Sequence, residues 1–165
     1  MSDDSCFRFN NKNYYICGVL DLYARRIVSY RIGKSNSKNL VRSTFKMAYN
    51  ERKPPLSLMF HTNRGSPYRS KTMRDYLQKL GVKQSFSRVY VPYDNSVVES
   101  FFASLKREEL YRTKYRSENE FKTAVDNYMT FYNFKRPHYK NQYKTPDNKE
   151  LDYYKKQMEF NDYKD

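Results

Sequence analysis

The apolar positions change their period several times along the chain, and each change marks a predicted element. Phe7 and Phe9 alternate with polar neighbours over residues 6–9, which predicts a short strand, and Asn10-Asn11-Lys12-Asn13 has the composition of a hairpin turn. Tyr14-Tyr15-Ile16-Cys17-Gly18-Val19-Leu20 is almost wholly apolar, as in a central strand covered on both faces. After the connection Asp21-Leu22-Tyr23-Ala24-Arg25-Arg26, residues 27–32 alternate again, so three strands open the chain as a meander. Ser35 or Ser37 can cap a following helix that buries Leu40, Val41, Thr44, Phe45, Met47 and Ala48, and Lys53-Pro54-Pro55 stops it. A short strand over 56–62, a polar loop over 63–68, a helix over 70–80 closed by Gly81, and a fifth strand over 82–86 follow.

Residues 87–93 read as a loop leading into a second helical half. Val97, Phe101 and Leu105 recur at i, i+4, i+8, Val98 and Phe102 widen that stripe, and Asp94, Asn95 and Ser96 are available as caps. Ser117 and Glu120 form a capping box for a last long helix with Phe121, Val125, Tyr128, Met129 and Tyr132 on its apolar side, ended at Pro137. From Lys140 the chain is rich in Lys, Tyr and Asp with little period, which reads as a peripheral tail. The order predicts an α/β sandwich with a mixed five-stranded sheet: one domain over 1–146 and a charged, Tyr-rich tail over 147–165.

Charge sharpens the picture. The 32 Lys and Arg outnumber the 18 Asp and Glu, giving a net charge of +14. Such an excess attracts polyanions, with binding steeply dependent on salt. The 18 Tyr and 11 Phe add stacking surface, which again favours a nucleic-acid partner. Two cysteines and two histidines are too few and wrongly spaced for a structural zinc site, and they fit a reducing compartment. With no long apolar run and no signal peptide, the expectation is a cytoplasmic protein without a membrane partner.

Chemistry gathers at two places. Asn63 closes a buried strand at its carboxyl end, where α/β sheets place ligands. Glu99 is the one carboxylate in the first half of its helix, and Lys106 lies two turns further along roughly the same side. With an acid from the first strand, this layout suits a pair of divalent cations roughly 4 Å apart for phosphoryl transfer. Magnesium wants hard oxygens from separate elements, and Asp3 is the candidate third ligand.

Three motifs carry a resemblance. Phe60-His61-Thr62-Asn63-Arg64-Gly65-Ser66-Pro67-Tyr68, the stretch Pro92-Tyr93-Asp94-Asn95-Ser96-Val97-Val98-Glu99-Ser100-Phe101-Phe102-Ala103-Ser104-Leu105-Lys106, and Tyr132-Asn133-Phe134-Lys135-Arg136-Pro137-His138 resemble the integrase-type (DDE) transposases of split-frame bacterial insertion sequences. These are relatives of retroviral integrase. The resemblance runs from about Asp3 to Pro146 and implies a ribonuclease H-like fold, Mg2+ or Mn2+ as cofactor, and DNA cleavage and strand transfer on transposon ends and target DNA. It implies Asp3, position 63 and Glu99 as the metal-binding catalytic set, with Asp4, then Asp21, as less favoured alternatives for the first acid. His61, Arg64, Lys106 and Arg136 are the candidate DNA contacts, although loop hydrogen bonding and helix capping account for His61 and Arg136 about as well. A homo-oligomer or association with an intact transposase is the implied assembly.

The chain departs from that pattern. Asn63 stands where the family has Asp, and an amide oxygen ligates metal without bringing negative charge. Asn141 stands where the family has Leu, and the chain opens almost at the catalytic strand, which reads as the loss of a DNA-end-recognition part. Impaired catalysis is therefore expected. A catalytically silent DNA-binding remnant is the alternative, and an unrelated basic RNA-binding protein the third reading.

Overall fold

The computed structural model describes residues 1–88 and 91–162. The loop expected over 87–93 and the tail expected over 147–165 lie partly outside the described residues. Strand β1 (Ser2–Phe9) turns into β2 (Lys12–Leu20) through Asn10 and Asn11, both at positive φ (45° and 57°). Asparagine tolerates that left-handed geometry, and a two-residue turn of this kind matches the twist of a hairpin. The third strand, β3 (Ile27–Gly33), pairs antiparallel with β2 and completes the meander.

Helix α1 (Lys38–Arg52) crosses over to β4 (Met59–Thr62). Its first turn is capped by Ser37, whose hydroxyl accepts from the Leu40 amide at 3.2 Å, and it ends at Lys53 in the left-handed region, before Pro54 and Pro55. The short α2 (Ser66–Arg69) occupies part of the stretch expected to be loop. The next helix, α3 (Lys71–Lys79), is capped by Ser70 and is followed by Gly81 at φ +67° and β5 (Lys83–Phe86). The sheet order is β3-β2-β1-β4-β5, with β1–β4 and β4–β5 parallel. This is the mixed five-stranded sheet that the pattern predicts.

Each face of the sheet carries its own core, which is why β2 reads as continuously apolar. On one face Tyr14, Ile16 and Leu20 meet α4 (Ser96–Leu105) and α5 (Glu118–Phe134) through Val98, Phe101, Phe102, Phe121 and Val125. On the other, Cys17 and Val19 pack with Val41, Phe45, Tyr68, Met73 and Leu77. The capping box holds with a small shift. Ser117 accepts from the Glu120 amide at 3.1 Å, while the Glu120 carboxylate accepts from the Arg116 amide at 2.7 Å, one residue before the reciprocal partner.

Besides α2, three elements differ from expectation. Strand β1 begins at Ser2 rather than Cys6, because backbone pairing with β2 carries the polar residues Ser2 to Ser5 into the sheet. Residues Lys106 to Leu110 extend α4 with a π turn, in which the Tyr111 amide donates to the Lys106 carbonyl at 2.9 Å. The tail is helical as α6 (Pro146–Asp162). It shows no apolar period because polar contacts anchor its first turns: Arg26 pairs with Asp147 and with Glu150 (3.2 Å), and Arg52 pairs with Glu150 (2.5 Å).

Buried polar residues tie the layers together. Asn133 on α5 donates to the Ile27 carbonyl and accepts from the Ile27 amide, both at 2.9 Å, at the outer strand. Asn141 donates to the Ala24 carbonyl at 2.8 Å and is 1% exposed. The amide at 141 therefore has a structural partner, where a leucine would leave that carbonyl unpaired. Replacing Asn133 with Ala strands two buried backbone groups, so Asn133→Ala should destabilise the fold by about 2–4 kcal/mol in a urea titration. A loss under about 0.5 kcal/mol would mean that water replaces the clamp.

Candidate functional site

Three elements converge on the Asp3 carboxylate. Asp3 is the second residue of β1, and the parallel bridge between Ser2 and Thr62 sets it beside the end of β4, so that Asn63 emerges next to it. Asn63 donates its side-chain N–H to Asp3 Oδ1 and accepts at Oδ1 from the Gly65 amide at 2.8 Å. Only this orientation of the carboxamide gives the carboxylate a donor and the Gly65 N–H an acceptor. Asn95, in the turn before α4, donates to Asp3 Oδ2 at 2.8 Å, and the Asp4 amide donates to Oδ1 at 2.8 Å.

Asn95 is the residue that sequence reasoning missed as part of the site. It read as one of three possible caps for α4, and none of the three caps it. The Asp94 carboxylate is taken by the Arg88 amide and guanidinium (2.9–3.1 Å), which hold its pKa down at about 2. The Ser96 hydroxyl donates to the Tyr93 carbonyl at 2.9 Å. The signal available in the sequence was position, since Asn95 stands immediately before the helix that carries Glu99. Asn95 Oδ1 is buried and meets no hydrogen-bond donor among the described residues.

Glu99 is exposed on the first turn of α4, close enough for its charge to act on Asp3. Burial is the largest influence on the Asp3 carboxyl and pushes its pKa up to about 6. The charges of Asp4 and Glu99 push the same way, while the Asp4 amide and the Asn95 amide oppose them. Asn63 and Asn95 thus bond the Asp3 carboxylate directly, and Glu99 acts on it through its charge.

The alternative acids point elsewhere. Asp4 accepts from the Asn36 amide at 2.9 Å, as strand alternation requires, and Asp21 accepts from the Ala24 amide at 2.8 Å in its turn. His61 lies within hydrogen-bond distance of two hydroxyls, Nδ1 at 3.0 Å from Ser85 Oγ and Nε2 at 3.3 Å from Ser87 Oγ, and burial lowers its pKa. Exposed Arg64, next to Asn63, donates to the Ser87 carbonyl at 2.8 Å. Lys106 opens the π turn, half-buried and without an ion pair among the described residues. Arg136 stands apart from Asp3 and makes a two-pronged pair with Glu108 (2.8 and 2.6 Å), which also accepts from Tyr128 at 2.8 Å. Among the described residues no group of three or more His, Cys, Asp or Glu is arranged to hold a metal. The site offers two carboxylates and two carboxamides.

The fold is that of a retroviral integrase catalytic core. The HTLV-2 integrase catalytic core domain, solved in complex with magnesium in a trimeric form, superposes with a TM-score of 0.69 at 16% identity, covering 88% of this chain and 90% of that one. The BIV integrase catalytic core domain gives a TM-score of 0.67 at 15% identity over 95% and 97% of the two chains. The chain belongs to the integrase core domain family, whose sequence profile matches residues 2–92, with a second integrase core domain profile over residues 80–146. It is 32% identical over 136 residues to a putative transposase of insertion sequence element IS150 from Escherichia coli K12, covering 82% of this chain and 48% of the relative. It is 34% identical over 133 residues to the transposase of IS904 from Lactococcus lactis, covering 80% and 53%. The chain therefore spans about half the length of these relatives.

The raised Asp3 pKa sets a pH dependence. Its folded value of about 6 exceeds the ordinary 3.8, so between those values the folded state binds the extra proton and stability falls as pH rises. In buffer free of divalent cations, the stability of Asp3→Asn relative to the unsubstituted chain should improve by about 2.5 kcal/mol from pH 4 to pH 7 and level off above pH 6–7. A pH-independent difference would show that the Asp3 carboxyl titrates normally.

Proposed function

We propose that the chain is the catalytic core of a DNA transposase in which Asp3 and Glu99 are the acidic ligands for Mg2+ or Mn2+ and Asn63 weakens the site. The observation that carries this reading is the meeting of β1, the end of β4 and the first turn of α4 at one buried carboxylate. The donor set suits a hard cation. Asp3 and Glu99 supply anionic oxygens whose mutual repulsion a cation would relieve, and Asn95 Oδ1 is a buried oxygen without a donor among the described residues. A divalent ion held there supplies charge neutralisation to a phosphodiester undergoing in-line displacement. Lys106, His61 and Arg64 are the proposed DNA contacts, with Arg136 the least supported of the four because Glu108 engages it. The proposed partners are transposon ends and target DNA, with a second copy or an intact transposase in the assembly. No described helix is long and apolar enough to cross a membrane, and the proposed setting is the cytoplasm, on the nucleoid.

One observation favours the second reading, a catalytically inactive DNA-binding remnant. The Asn63 amide nitrogen donates to Asp3 Oδ1, so a cation bound at that oxygen would compete with this hydrogen bond. Two carboxylates also leave more of the charge of a cation pair uncompensated than three would.

Asn63→Asp separates the readings. Without divalent cations the substitution replaces a donor with a second carboxylate beside Asp3, costing about 1–3 kcal/mol, or roughly 3–10 °C in Tm. Millimolar Mg2+ should restore that loss while leaving the Tm of the unsubstituted chain almost unchanged. Mn2+-dependent nicking of supercoiled plasmid should rise by roughly two orders of magnitude in Asn63→Asp, a few kcal/mol of transition-state charge stabilisation. Equal, nonzero nicking in both proteins would remove Asn63 from the role of lesion. A Tm of Asn63→Asp indifferent to Mg2+ would remove the metal site.

A further inference from the structure

The exposed side of α4 leads away from Glu99 through Ala103 and Arg107 to Tyr111, where the π turn ends. The connection that follows folds back over the tip of the β1–β2 hairpin. Tyr111 lies 6.2 Å from Phe7, and Tyr115 stands edge-on to Phe9 at 5.9 Å. Lys12 is the cross-strand partner of Phe9 and so shares its face. Arg112 and Lys114 flank these two tyrosines in the chain. The packing of the rings therefore gathers Lys12, Arg112 and Lys114 at the end of the sheet remote from Asp3.

All three cations are exposed, and none is in an ion pair among the described residues. The carboxylates around them are already engaged. Glu109 accepts from Thr113 at 3.0 Å and Tyr115 at 3.1 Å, and Glu118 pairs with Lys34 and Lys122. Glu120 accepts from the Arg116 amide. The result is a predominantly basic patch, in which Lys34 and Lys122 offset Glu118 while Glu109 and Glu120 keep their charge behind hydrogen bonds from neutral donors, at the far end of the helix that begins beside the candidate site. Glu99 and Tyr111 are separated by roughly 18 Å of helix at about 1.5 Å per residue. That is the length of about five base pairs of duplex.

We propose that Lys12, Arg112 and Lys114 form a second phosphate-binding surface that holds the backbone of a DNA duplex whose other end lies at Asp3 and Glu99. This rests on the DNA reading above and adds where the duplex runs: along α4 and over the hairpin tip. The contacts are to phosphate, so they set the direction of the duplex and leave base sequence unread.

The test is the salt dependence of binding to a short duplex of arbitrary sequence, followed by fluorescence anisotropy from about 50 to about 200 mM NaCl. The triple variant Lys12→Gln/Arg112→Gln/Lys114→Gln is compared with Arg74→Gln/Lys79→Gln/Lys83→Gln, which removes three exposed cations from α3 and β5. Both lose the same net charge, and circular dichroism melting checks that both stay folded. Each phosphate contact contributes about 0.9 to the slope of log K against log salt, so the first variant should lose roughly 2–3 and the second less than about 1. The single substitutions should each lose about 0.9. Equal loss in the two triple variants, with binding by the unsubstituted chain intact, overturns the second surface and leaves the DNA reading standing. No binding by the unsubstituted chain at the lowest salt overturns the DNA reading and this surface with it.

Discussion

A carboxylate taken out of water has to be resolvated by the protein, and at Asp3 three elements share that work. Its own strand gives the Asp4 amide, the segment after β4 gives the Asn63 amide, and the turn before α4 gives the Asn95 amide. Hydrogen bonds to a charged group contribute about 1.5–3 kcal/mol each. Three of them are comparable with the several kcal/mol by which burial penalises an ion. Burial outweighs them, which pushes the Asp3 pKa up to about 6. The consequence is structural before it is chemical: β1, β4 and α4 are held in register by one residue, and Glu99 is carried to the same place because it stands on the first turn of α4.

The apolar half of α4 does the remaining positioning. Val98, Phe101, Phe102 and Leu105 are nearly inaccessible and fix the rotation of the helix, which leaves Glu99 and Ala103 outward. At its far end the Glu108 carboxylate is gripped by Arg136 and Tyr128, from the end and the body of α5. A π turn is a costly way to continue a helix and needs outside support. Here that support is a charge-assisted pair between Arg136 and Glu108.

Much of this was legible in the sequence, and the parts that were not share a cause. The five strands, the two-sided burial of β2, the caps at Ser37 and Ser117 and the buried face of α4 all follow from period and local hydrogen bonding, which neighbouring residues decide. Strand β1 looked shorter than it is because Ser2, Asp3, Asp4 and Ser5 owe their place to pairing with Val19, Gly18, Cys17 and Ile16 of β2, and no local pattern reports partners that far along the chain. Helix α6 lacked an apolar stripe because Arg26 and Arg52, remote in the chain, hold it by charge. Asn95 was read as a cap since a cap is what such a residue does with its neighbours. An N-terminal cap is typically worth about 1 kcal/mol, less than a hydrogen bond to a buried carboxylate, so the tertiary partner takes the side chain.

Asn63 alters which state of the site is cheapest. Two carboxylates in contact at the end of β4 would repel by about 4 kcal/mol at 4 Å in a protein-like dielectric, so a site of that kind leans on a cation to hold its shape. A carboxamide in the same position reverses the interaction. Its N–H satisfies Asp3, its oxygen satisfies the Gly65 amide, and the strand end is fixed with no ion required. On the proposed reading, a cation bound at Asp3 Oδ1 would compete with the Asn63 amide for that oxygen, so that stability without metal and affinity for metal would be opposed through one amide group.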